Sequence, residues 1–148
     1  MKLSVPYWHE LPDLDLYLDQ VLLYVNQATN STDDPEKKSL TAAMINNYVK
    51  HKQIEKPIKK KYQKHQVARL IALTILKNVF SIQEISQTLN LLLNSSDSES
   101  LYNHFVDCMR DKENEKTPDI IRFACQSVKL YYKTRQLTVD LERSQHES

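Results

Sequence analysis

Residues 65–79 read HQVARLIALTILKNV, and this stretch decides the fold because its apolar residues cover most sides of a helix. The apolar residues are Val67, Leu70, Ile71, Leu73, Ile75, Leu76 and Val79. They leave no broad polar face on the helix. A helix that is hydrophobic nearly all round lies buried among other elements. We therefore predict a central helix here, with amphipathic helices packed around it.

The chain of 148 residues contains no glycine. Phosphate-binding loops, dinucleotide fingerprints and nucleophile elbows need glycine, either for positive φ or for close approach of the backbone to a ligand. Many enzyme classes are therefore disfavoured, and we expect no enzymatic activity. Tight type I′ and II′ hairpins are disfavoured for the same reason. The composition predicts an all-α fold with at most one minimal β-hairpin.

Two amphipathic helices are predicted on the N-terminal side of the central helix. The first covers residues 11–28. Its apolar stripe consists of Leu11, Leu14, Leu18, Val21, Leu22 and Val25. A polar segment over 30–39 reads as an exposed loop, after which Ser39 or Thr41 can N-cap a second helix over 40–52. The apolar stripe of the second helix is Leu40, Met44, Ile45, Tyr48 and Val49.

Three further helices are predicted on the C-terminal side. SIQE at 81–84 is a capping box that begins the first of them. The polar segment over 94–100 is the best internal boundary, because it is flexible and can cap the next helix. It divides the chain into residues 1–95 and residues 96–148. Thr117-Pro118-Asp119 opens the last helix with cap, proline and acid in the favoured order.

The last predicted helix, over about residues 119–143, carries an apolar seam with alternating steps of four and three. This spacing is that of a short coiled coil. Such a seam more often packs helices together than binds a ligand. If it has a function beyond packing, that function is to form an interface between two copies of the chain. We predict a homodimer formed through Ile121, Cys125, Val128, Tyr132 and Val139.

The net charge of +1 conceals an uneven distribution. Residues 1–36 hold one Lys and seven acidic residues, a net charge of −6, whereas residues 50–69 hold eight Lys or Arg and one Glu, a net charge of +7. A cationic segment of this kind suits a polyanionic partner. It also suits a solvated surface with no partner, and a lysine run alone does not distinguish the two.

The helix predicted over 40–52 begins with a small, uncharged polar face, so its backbone can approach the floor of a DNA major groove closely. Asn46 and Asn47 each carry an amide that can pair with N6 and N7 of adenine. The lysines that follow can contact phosphates, which contributes affinity but little sequence information. The predicted contacts to double-stranded DNA are Thr41, Ala42, Ala43, Asn46, Asn47, Lys50, Lys52, Lys56, Lys59, Lys60, Lys61, Tyr62 and Lys64.

The middle of the chain has a recognisable order of motifs: T-x-x-x-I-x-x-Y, an apolar residue, a proline, a basic stretch, a tyrosine, a Leu/Ile-rich helix and S-I-x-E-I-x-x-x-L. The matching positions are Thr41, Ile45, Tyr48, Ile54, Pro57, Tyr62, Leu70, Ser81, Glu84, Ile85 and Leu89. This order resembles the winged helix-turn-helix of MerR-type transcriptional regulators. With LYLDQVLLYV and KKYQKHQ it resembles, over residues 6–95, a bacterial MerR-like family that carries a domain-of-unknown-function label.

The resemblance implies that the helix beginning at Thr41 is the recognition helix and that the basic stretch is the wing over the phosphates. It also implies dimers, because DNA readers of this class bind two half-sites related by protein symmetry. Two positions depart from the pattern: MerR-type helices usually carry Arg where this chain has Asn46, and Gly where it has Lys52.

Other sites are less well supported by the sequence. His104 and Cys108 are four residues apart and could ligate a metal with Cys125, but a complete ligand set is not evident and core packing is expected instead. No metal, cofactor or catalytic residue is predicted. No apolar run approaches the roughly 20 residues needed to cross a membrane, and no secretory signal pattern is present. A cytoplasmic location is therefore expected.

Together these features predict a DNA-binding transcriptional regulator, acting as a repressor by occupying its site. Residues 1–95 are predicted to form its MerR-like winged helix-turn-helix, and residues 96–148 a two-helix dimerisation or effector segment. The alternative is a helical adaptor, whose acidic first helix and basic second region bind protein partners and no DNA. An absence of duplex binding at low salt would favour the adaptor.

Overall fold

The computed structural model describes residues 5–29 and 39–147, so most of the expected loop over 30–39 lies outside the described residues. The elements in chain order are a 3-10 helix Trp8–Glu10, β1 Leu16–Tyr17, α1 Leu18–Thr29, α2 Ala42–Lys50, β2 Lys61–Tyr62, α3 Lys64–Leu76, α4 Ile82–Leu92, α5 Ser98–Met109 and α6 Asp119–Glu147. The fold is mostly helical with one two-stranded antiparallel sheet. The predicted fold class is confirmed.

Helix α3 is the centre of the fold, as the apolar stretch predicts. All its residues from Gln66 to Leu76 are buried except Arg69, and it packs against α1, α4, α5 and α6. Val79 lies beyond the end of the helix and is 41% exposed. The side chains of α3 thus hold the surrounding helices on one core.

The predicted caps fix where the neighbouring helices begin. Thr41 caps α2, its hydroxyl accepting a hydrogen bond from the Met44 amide at 3.2 Å. At α4, Ser81 and Glu84 form the expected capping box through two reciprocal hydrogen bonds of 3.1 Å. Each bond satisfies an amide that the first helical turn leaves without an intrahelical acceptor.

The first helix begins later than predicted. Leu16 and Tyr17 form β1, in which Leu16 pairs with Tyr62 of β2 and Tyr17 with Lys61. The Gln20 side chain accepts a hydrogen bond from the Tyr17 amide at 2.9 Å and closes the first turn of α1. Leu14, assigned to the apolar stripe, is 81% exposed. Backbone pairing with β2 therefore overrides the helical spacing of residues 11–17.

The hydrophobic core continues past the predicted boundary at residue 95. Helix α5 contributes Tyr102, Phe105 and Val106 to the same buried cluster as α3. It also holds the N-terminal segment: the Tyr102 hydroxyl donates to the Pro6 carbonyl at 2.7 Å. The separate roles assigned to residues 1–95 and 96–148 stay a prediction. Within the described residues, none of the helices combines the length and apolar character that spanning a membrane requires.

Candidate nucleic-acid interface

Helix α2 is held on α1 and α3 by polar side chains at its start. The Asn26 amide makes two hydrogen bonds with the Leu40 backbone, donating to its carbonyl and accepting from its N–H, each at 2.9 Å. Lys77, just after α3, donates to the Ser39 carbonyl. Burial lowers the pKa of the Lys77 ammonium. These contacts fix where the first turn of α2 lies on the core.

The outer face of α2 is small and uncharged at its start, as the sequence predicts. Ala43, Asn46, Asn47 and Lys50 are exposed at steps of three and four residues, and Ala42 is half-buried beside them. Neither Asn46 nor Asn47 forms a side-chain hydrogen bond with another residue that the structure describes. Both amides are therefore available to an external partner.

The end of α2 takes a conformation that usually requires glycine. The Gln53 amide donates to the Tyr48 carbonyl at 2.8 Å, and the Lys52 amide donates to the Val49 carbonyl at 3.1 Å. These two bonds form a Schellman motif, in which the residue at the position of Lys52 is left-handed. Lys52 has φ of 60°.

A two-residue hairpin follows, although the lack of glycine disfavours one. Ile58 and Lys61 exchange two backbone hydrogen bonds of 3.0 Å. Between them, Lys59 and Lys60 have φ of 51° and 67°. Positive φ at both central residues is the type I′ pattern. This hairpin lies within the predicted fold class, and its lysines accept a conformation that costs a residue with a Cβ about 1 kcal/mol.

Two side chains of α3 anchor the segment between α2 and the hairpin. The buried Gln66 amide donates to the carbonyls of Glu55 at 2.8 Å and Lys56 at 3.2 Å. Its oxygen accepts from the Gln63 amide at 2.7 Å. Arg69 donates through Nε to the Gln53 carbonyl at 2.8 Å. Neither anchor was predicted from the sequence, although Gln63 and Gln66 have the spacing of a capping box.

Arg69 also joins this segment to α4. Its Nη2 donates to the Ser86 hydroxyl at 2.8 Å and to the Asn90 side-chain oxygen at 3.1 Å. Burial lowers the pKa of the guanidinium. The lysine-bearing loop is therefore fastened to both α3 and α4.

The predicted cationic residues fall into three groups. Five lysines have exposed side chains: Lys50, Lys52, Lys56, Lys59 and Lys60. Lys61 is half-buried, with its ammonium 5.1 Å from the centre of the Tyr17 ring. Lys64 is paired with Asp13 at 2.8 Å, and this hydrogen bond and charge lower the pKa of the Asp13 carboxyl.

Two of the uncharged residues predicted to contact DNA have structural roles. Tyr62 is only 3% exposed, and burial raises the pKa of its hydroxyl. It belongs to the core, so its assignment to the DNA surface is corrected. Thr41 is half-buried and uses its hydroxyl to cap α2.

The seam predicted for dimerisation faces the core of its own chain over the first half of α6. Ile121, Cys125 and Val128 are buried there, so they are not available to a second copy. Tyr132 is half-buried and accepts a hydrogen bond from the Asn78 amide at 3.1 Å. Val139 is partly exposed. In the part of the chain that the structure describes, no three His, Cys, Asp or Glu side chains are grouped to hold a metal ion.

The fold and this surface define a small, mostly helical protein with a cationic hairpin beside a neutral helix face. The chain belongs to the DUF1836 family, described as a domain of unknown function, whose model matches residues 6–105. No curated protein and no solved structure matches the chain.

Proposed function

We propose that this chain is a DNA-binding transcriptional regulator with a MerR-like winged helix-turn-helix. Helix α2 reads base edges in the major groove, and the hairpin acts as the wing. The exposed stripe of Ala43, Asn46 and Asn47 supports this reading, because small side chains permit close approach and each amide matches the donor and acceptor pattern of adenine.

The backbone of the basic segment carries the proposal. Four residues in the described part of the chain have positive φ, and three of them are the lysines Lys52, Lys59 and Lys60. Asn, Asp or Gly would relieve the backbone at these positions. A lysine does not lower the conformational cost of positive φ, so its contribution at these positions is its charge. Phosphate contact uses that charge without needing a defined side-chain geometry.

The two surface types divide the binding free energy. The exposed lysines contribute a salt-dependent, sequence-independent grip on phosphates. Asn46 and Asn47 contribute discrimination between bases, worth about 1–3 kcal/mol for each good bidentate pair. Repression by occupancy is the simplest form of regulation for such a protein, since it requires only that the bound protein exclude other proteins from the same DNA.

Selection of bound sequences from a random duplex pool tests the proposal. We expect an enriched motif that contains adenines. The Asn46→Ala and Asn47→Ala variants should lose the preference for this motif. A pool that remains random while binding persists would contradict direct readout by α2. No binding at low salt would contradict the DNA proposal and favour the adaptor alternative.

A further inference from the structure

Helix α6 carries a second apolar stripe, whose residues precede those of the seam that faces the core by one or two positions. We call it the outer stripe: Ile120, Phe123, Ser127, Leu130, Thr134, Leu137 and Leu141. Its steps alternate strictly between three and four, which is the a/d spacing of a coiled coil. Leu130, Leu137 and Leu141 are 64%, 55% and 63% exposed. Three leucines in register on one open helix face form an unpartnered surface.

The two polar positions in the outer stripe are compatible with burial. The Ser127 hydroxyl donates to the Phe123 carbonyl at 2.9 Å. The Thr134 hydroxyl donates to the Leu130 carbonyl at 2.8 Å. Each hydroxyl proton is therefore bonded within the helix, so covering the stripe would not leave an unbonded donor.

The apolar surface continues from the outer stripe onto the body of the protein. Ile120 and Phe123 contribute to the wall of an open groove of about 890 Å³ between α3, α4, α5 and α6. Beyond Tyr132, α6 extends past the core, and nearly all its residues are exposed. The tail of α6 thus presents a regular face with no partner among the described residues.

We propose that the outer stripe is the interface with a second copy of this chain, formed as an antiparallel pair of α6 tails. In this register Leu130 packs against Leu141 of the partner subunit. Thr134 then packs against the partner's Leu137. An interface of this kind is the same patch on both copies and closes as a dimer.

Charge complementarity selects this register. Lys133 and Asp140 flank the outer stripe at equivalent g positions. In the antiparallel pair, Lys133 faces Asp140 of the partner subunit, and the symmetry repeats the ion pair on the other side. Flanking ion pairs of this kind set the orientation of coiled coils.

Two other registers lack these pairs. A parallel pair places Lys133 beside the partner's Thr138 and forms no ion pair along the stripe. An antiparallel pair shifted by one heptad toward the body places Lys133 against the partner's Lys133, and Asp119 against the partner's Glu147. Like charges at these positions disfavour it.

This inference does not depend on DNA binding, and the two can fail separately. If both hold, the dimer carries two copies of α2 related by two-fold symmetry, which suits a palindromic site. The oligomeric state is measured without DNA, so duplex binding by a monomer would contradict only the dimer.

Light scattering coupled to size-exclusion chromatography over a concentration series tests the interface. We expect the full chain to be a dimer and Leu137→Asp to raise its dissociation constant by at least about 100-fold, because the buried carboxylate has no partner. Leu14→Asp makes the same change at a remote exposed leucine and should leave the dimer intact. Circular dichroism confirms that both variants fold. A monomeric wild type, or a folded dimeric Leu137→Asp, would overturn the proposal.

Cross-linking tests the antiparallel register. Ser127 faces Ser144 of the partner subunit in the proposed pair, whereas a parallel pair places each serine beside its own copy. A short bifunctional maleimide should link a mixture of Ser127→Cys and Ser144→Cys proteins, and neither variant alone. The native Cys108 and Cys125 are buried and serve as the unreactive background. Linking within either single variant, without linking in the mixture, would contradict the antiparallel pair.

Discussion

The two exposed surfaces of this protein are built in opposite ways. The surface of α2 and the hairpin is polar, interrupts regular structure and holds Lys52, Lys59 and Lys60 in left-handed conformations. The outer stripe of α6 is apolar, lies on one uninterrupted helix and has regular spacing. The first surface depends on side-chain anchors from the core, whereas the second depends only on the helix itself.

This difference indicates what each surface suits. An irregular segment with charged side chains, held in place by polar anchors, suits a polyanion. For such a partner the position of the charges matters more than the buried area. A regular apolar helix face suits another helix, for which buried area and register matter most. Four sets of substitutions test the surface of α2 and the hairpin. They change, in turn, the side-chain anchor, the lysine charge, the residues that read bases and the backbone conformation of the turn.

The anchor should have the largest effect. Gln66→Leu leaves the carbonyls of Glu55 and Lys56 and the amide of Gln63 without this partner. We expect the free energy of unfolding to fall by about 3 kcal/mol, measured by urea denaturation. Gln87→Leu makes the same change at an exposed helical position and should change stability by less than about 0.5 kcal/mol. Equal effects in the two variants would show that the anchor is unimportant.

Removal of charge should weaken duplex binding strongly. Lys59→Ala with Lys60→Ala keeps the Cβ atoms, and hence the backbone cost, but removes two phosphate contacts. At 0.1 M salt we expect an affinity loss of about 50-fold, measured by fluorescence anisotropy. Lys112→Ala with Lys116→Ala removes the same charge from two other exposed lysines and should lose far less. Equal losses would mean that only net charge matters.

The readout residues should have an intermediate effect that is confined to preferred sequences. Asn46→Ala should reduce the preference for a selected duplex over a random one by about tenfold. Its affinity for random duplex and its salt dependence should remain unchanged, because no phosphate contact is lost. Competition between the two duplexes gives the preference directly, and an unchanged ratio would exclude Asn46 as a reader.

Relief of the backbone conformation at Lys59 and Lys60 should have the smallest effect on stability. It should raise the free energy of unfolding, whereas duplex affinity should fall. Lys59→Asn with Lys60→Gly supplies the residues that type I′ turns prefer. Thermal denaturation should show a gain of about 1 kcal/mol in the free energy of unfolding, while duplex affinity falls as it does for the alanine pair. A variant that gains stability and keeps its affinity would show that the charge of these lysines is not used.

The parts of the structure that a local pattern controls could be predicted from the sequence. The apolar residues of α3 place it at the centre, and Thr41 and Ser81 cap their helices as predicted. The predicted start of α1 was wrong, because the pairing of Leu16 with Tyr62 is a contact between residues that are distant in sequence. Helical spacing alone cannot reveal such a contact.

The candidate surfaces were harder to predict for similar reasons. Helix α6 has two stripes of nearly the same spacing, and packing against α5 and α3 determines that Cys125 is buried while Leu130 is exposed. The left-handed lysines were unexpected, because residue preference argues against them. Gln66 was missed because its hydrogen bonds reach carbonyls ten and eleven residues away.

The salt dependence of duplex binding by the full chain tests the central claim most directly. Five exposed lysines in contact with phosphates predict a log–log slope of about −4.5 for the wild type. Loss of two contacts in the Lys59→Ala and Lys60→Ala variant predicts a slope of about −2.7. The Lys112→Ala and Lys116→Ala control should keep the wild-type slope. No binding at low salt, or one slope for all three proteins, would contradict the account.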